Sequence, residues 1–90
     1  MNTIEQKVHT LLELGMAITL AGKAQAFVSF EGHINGIGYH AYPVDQRHAD
    51  GVKRVYLVDM QIVYVDRPDA EQRLDKAISE FQALMQEQAA

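Results

Sequence analysis

Ile4, Val8, Leu11, Leu12, Gly15 and Ile18 recur at helical spacing and share one face. Thr3, followed three residues later by Gln6, makes a capping-box start, and Gly22 is a natural stop. A helix is predicted over about residues 3–21. Met16 and Leu20 lie off the main stripe, so the end of this helix is apolar almost all round. Such an end asks for cover on more than one side, from a deep core position or from a partner protein. The pattern then changes to alternation. AQAFVSFEG is rich in aromatic and β-branched residues and predicts a strand over about 24–34.

Asn35-Gly36 is a strong short hairpin signal, because a type I′ turn needs positive φ at both central residues. With those two as the turn, Ile34 faces Ile37, Gly32 faces Tyr39 and Phe30 faces Ala41. Val28, Phe30, Ile34, Ile37, Tyr39 and Ala41 then form a core face. The second strand runs over about 37–43 and Pro43 ends it. Asp45 to Arg54 is polar, contains Asp50-Gly51 and reads as an exposed loop. A third strand is predicted over about 54–65, with a bulge or bend near Asp59, where Asp59 and Gln61 interrupt a two-sided apolar pattern. Asp66 before Arg67-Pro68-Asp69 signals a second helix over about 67–87. Its stripe is Ala70, Leu74, Ala77, Ile78, Phe81, Leu84 and Met85.

The order α-β-β-β-α, with a three-stranded antiparallel meander and both helices on one face, is a two-layer α+β sandwich. The other sheet face then carries Phe27, Ser29, Glu31, His33, His40 and Tyr42. From the third strand it gains either Tyr56, Val58 and Met60 or Val55, Leu57 and Asp59. Glu31 and His40 are expected to be direct cross-strand partners, close enough for a charge-assisted contact.

Composition narrows the chemistry. Ninety residues make one domain with a modest core, which pairing with a second copy would help. The net charge is -4, and the eight basic residues are scattered, with only Lys53 and Arg54 adjacent. That argues against nucleic-acid binding, whose alternative contacts would be Arg47, Lys53 and Arg54, aided by His33 and His48. The absence of cysteine excludes disulfides and thiol catalysis. No apolar run reaches membrane-spanning length, and MNTIEQKVHT lacks the pattern of a signal peptide, so a cytoplasmic protein with no membrane partner is expected. The four histidines show no zinc-ligand spacing, and neither a metal nor another cofactor is expected. Ser29, His40 and Glu31 share a face, but Ser29 is mid-strand with no strained elbow, so no catalytic residue is assigned.

Two resemblances add expectations. The element order resembles that of the double-stranded RNA-binding domain and covers most of the chain. That family grips phosphates with a lysine-rich cluster at the start of its second helix. Here the position reads RPDAEQRLDK, with Asp69, Glu71 and Asp75, so the resemblance extends to fold and not to function. AGKAQAFVSFEGHING followed by YHAYPVD is similar to small, uncharacterised bacteriophage and prophage proteins, over about the first half of the chain. What that resemblance implies is a short acidic accessory protein that binds and modulates a host protein.

The expectation is therefore a non-enzymatic protein-binding module, self-associating as a homodimer. Its surface is Phe27, Glu31, His33, His40 and Tyr42, with Phe27 and Tyr42 as anchors. The alternatives are nucleic-acid binding and a small-ligand site on the same face.

Overall fold

The computed structural model describes residues 3–43 and 57–86. The elements are α1 (Thr3–Leu20), β1 (Gln25–Glu31), β2 (Gly36–Tyr42), β3 (Val58–Tyr64) and α2 (Ala70–Gln86). The strands form one antiparallel sheet in the order β1-β2-β3. α1 packs on β1, α2 packs on β3, and the helices pack on each other. The result is an α+β sandwich with one helical layer. The loop expected over 45–54 lies outside the described residues, as does Tyr56. Among the described residues, no helix is long and apolar enough to cross a membrane.

α1 ends as its sequence requires. Gly22 takes φ 72°, which costs glycine little and other residues more. The Lys23 amide reaches the Ile18 carbonyl and the Gly22 amide reaches that of Thr19, each at 3.1 Å. These two bonds are the Schellman motif, and they satisfy carbonyls the helix itself leaves open. Gly15 lets α1 settle onto the sheet, since a Cβ there would stand 3.1 Å from Val28 Cγ2. One turn on, the Ala26 amide donates to the Thr19 hydroxyl at 3.1 Å. Helix and strand therefore run antiparallel, and a four-residue helix step matches a two-residue strand step, each about 6 Å.

α2 starts at Ala70, not at 67 as expected. Two tight turns come first, with the Arg67 amide on the Tyr64 carbonyl and the Ala70 amide on the Arg67 carbonyl. The residue before a proline is pushed out of helical φ/ψ, so Arg67 cannot open the helix. Asp69 takes the capping position instead, and its carbonyl accepts from the Arg73 amide at 3.1 Å.

Leu11 and Ile18 of α1 meet Leu74, Ala77 and Phe81 of α2 above Ile37, Tyr39, Ala41 and Val63 of the sheet. The Tyr39 ring meets Phe81 edge-on, with centroids 5.9 Å apart. At the rim, Lys7 joins the helices through Asp75 at 2.6 Å and Glu71 at 3.2 Å.

The hairpin departs from the expected register. Phe30 pairs with Ile37, Val28 with Tyr39 and Ala26 with Ala41. The turn is the four residues Gly32 to Asn35, and only Asn35 takes positive φ, at 51°. The Ile34 amide folds back onto the Glu31 carbonyl at 3.3 Å. A two-residue turn at Asn35-Gly36 would set Val28 opposite Pro43 and leave the start of β1 without a partner on β2. The observed register keeps Ala26 and Val28 paired beneath α1. The slip moves each partner by four residues, an even number, so every side chain keeps its face. Phe30 shares the core face, yet it is 53% exposed at the far end of the edge strand.

The bulge expected near Asp59 is present. Tyr39 pairs with Gln61 but Ala41 pairs with Val58, so Asp59 and Met60 together stand opposite His40. The bulge flips the alternation. Val58 joins the core face and Met60 the open one, so the expected set of Tyr56, Val58 and Met60 does not share a face.

Candidate functional site

On the open face, β1 contributes Phe27, Ser29 and Glu31, β3 contributes Met60 and Ile62, and the central strand contributes two glycines, Gly36 and Gly38. Where these two glycines leave the central strand without side chains between two strands that carry them, a groove opens along its axis. The groove has a volume of about 470 Å³, with Phe27, Met60 and Ile62 exposed along it.

The two glycines differ. A Cβ at Gly36 would stand 3.0 Å from Ile62 Cγ2 and 3.2 Å from Ile34 Cδ1, so those side chains close the groove there. At Gly38 the nearest atoms to an added Cβ are the Gln61 carbonyl oxygen at 3.8 Å and the Ser29 hydroxyl at 3.9 Å, which is ordinary contact. Gly38 is the open floor.

Aromatic rings close the other end. Phe27 stacks on His40, its partner across the strands, with centroids 4.6 Å apart and planes within 7°. Tyr42 stands edge-on to both, at 5.6 Å from Phe27 and 5.2 Å from His40. Each such pair contributes about 0.5–1.5 kcal/mol beyond its buried area, so this end is held firmly. On the β1 wall, the Ser29 hydroxyl donates to Glu31 Oε1 at 3.3 Å, which holds the carboxylate over the groove.

Three expectations are corrected. Glu31 and His40 are not partners, since Glu31 pairs with Gly36 and lies four residues, about 13 Å, along β1 from Phe27. Tyr42 is 1% exposed and cannot be a surface anchor; it buttresses Phe27 and His40 instead. His33 is exposed in the turn, away from the groove walls. Arg47, Lys53 and Arg54 lie outside the described residues. Among those described, no group of three or more histidine, aspartate or glutamate side chains is placed to hold a metal.

Gly38, Met60 and Ile62 were missed or left open as site residues. The signal for Gly38 is present in GIGYH, where strict alternation sets both glycines on the open face. Comparison with protein-family models, curated protein sequences and solved structures returned no match.

Proposed function

We propose that the protein is a binding module and not an enzyme, and that a protein partner places an apolar side chain in the slot above Gly38. The observation that supports this most is Gly38 itself. Glycine inside a strand costs about 0.5–1 kcal/mol relative to alanine. Gly38 has no positive φ to require it and no crowding to exclude a side chain. A glycine the fold does not need, on the floor of a groove with exposed apolar walls, fits close approach by another molecule. Glu31 at the rim and a net charge of -4 favour a basic residue beside the apolar one. The resemblance to bacteriophage proteins suggests a host protein as the partner.

The test is a displayed peptide library selected on the parent chain. Enriched peptides should pair an aromatic or aliphatic residue with lysine or arginine. Gly38→Val fills the slot with a strand-favouring residue, so it should fold and yet weaken those peptides at least about tenfold, or ~1.4 kcal/mol. Binding should also fall only modestly as salt rises, unlike phosphate recognition. A folded Gly38→Val chain that binds as tightly as the parent would falsify the slot as the binding site.

A further inference from the structure

A second apolar surface lies on the far side of β1. Leu12, Met16 and Leu20 project from α1 with exposures of 40, 65 and 80%. With Thr19, Ala26 and Val28 they line a groove of about 310 Å³ between the helix and the sheet edge. The antiparallel match of Thr19 with Ala26 and Gly15 with Val28 sets exposed Phe30 level with Leu11 and Leu12. The strip therefore runs from Leu20 to Phe30. The sequence marked Met16 and Leu20 as needing cover; among the described residues they stay mostly exposed.

We infer that this strip is the contact between two copies of the chain, joined by an antiparallel α1–α1 pair about a two-fold axis at Met16. Area is the first support. At about 200 Å² for a large apolar residue, Leu12, Met16, Leu20 and Phe30 leave roughly 450 Å² of apolar surface. Interfaces are about 60% apolar, so such a patch belongs to a contact of about 750 Å² per copy. That is close to the ~800 Å² per partner of a standard stable interface.

Spacing is the second support, and it selects a second copy over another protein. The three helix residues are four apart, with Met16 central. Reversal about Met16 sets Leu12 against Leu20 of the second copy, and Met16 against its own equivalent. A two-fold contact must be self-complementary in this way. Charge agrees. Among the described residues, no ionisable side chain lines the groove. Glu13, three residues from the axis, would face Thr19 of the second copy and not another acid. The open sheet face is left free, so this surface replaces the one from which a homodimer was expected.

Solution mass and crosslinking test it. The parent should weigh two chains at tens to hundreds of micromolar, an affinity well within reach of an interface this size. Met16→Glu should halve the mass with an unchanged circular dichroism spectrum, while Phe27→Ala and Gly38→Val leave it dimeric. The chain has no cysteine, so Met16→Cys offers a single thiol beside the axis. It should form an intermolecular disulfide under mild oxidation far faster than Gln82→Cys on exposed α2. A parent that remains monomeric at about 1 mM contradicts the pairing. So does a Met16→Glu dimer, a mass halved by Phe27→Ala alone, or crosslinking no faster at Met16 than at Gln82. Peptide binding sensitive to Gly38→Val alone would survive each of these results, so the two surfaces succeed or fail separately.

Discussion

At the residue scale, the glycines separate into three physical roles. Gly22 is set by its backbone: its φ is 72° and, among the described residues, nothing lies within 4 Å of an added Cβ. Gly22→Ala should therefore cost about 1 kcal/mol through conformation alone. In a chain this size that lowers the melting temperature by roughly 4–8 °C, read by calorimetry; an unchanged midpoint would show the cap to be dispensable. Gly36 is set by the side chains that crowd it. Gly38 is set by neither. Sequence alone placed Gly36 in the turn, because a glycine's letter does not say whether the backbone or a neighbour demands it. Tyr42 was misread for a similar reason. Alternation assigns a side chain to a face but not the depth of cover on that face.

At the element scale, what depended on period was legible. Both helices, all three strands and the bulge near Asp59 follow from spacing. Boundaries and register did not, because they answer to tertiary contacts. Asn35-Gly36 offers a good local turn, yet β1 slides by four residues to keep its full length paired under α1. The even slip preserved the faces while breaking the expected Glu31–His40 pair, and it brought Phe27 onto His40. Phe30 was legible as core-facing but not as half exposed at the far end of the edge strand.

The packing of α1 and α2 also sets a pH limit. The Asp75 hydrogen bond, supported by Glu71 against partial desolvation, holds the Lys7 ammonium above its ordinary value of 10.5. Burial pushes the Tyr39 phenol above 10.0, and the Glu80 charge adds to it. Both groups keep their protons more tightly folded than unfolded. Their contribution is thus complete below the ordinary values and is lost as pH rises through the raised ones. The denaturation midpoint should hold from neutrality to about pH 10 and then fall, with a shallower fall in Tyr39→Phe. A midpoint flat into stronger alkali would contradict these contacts.

At the scale of the whole molecule, β1 is the pivot. It is an edge strand whose two faces carry different apolar surfaces. On one side Phe27 and Ser29 wall the slot above Gly38; on the other Val28 and Phe30 adjoin the α1 strip. Neither surface was fully legible. The slot depends on which strands flank two glycines, and the strip on how much of α1 the sheet covers. The most direct measurement is a backbone amide map of the isotope-labelled chain as a selected peptide is titrated in. The largest shifts should fall on Ser29, Gly38, His40 and Ile62, while Leu12, Met16 and Leu20 stay still. Shifts centred on α1, or scattered without a centre on Gly38, would contradict the open sheet face as the binding surface.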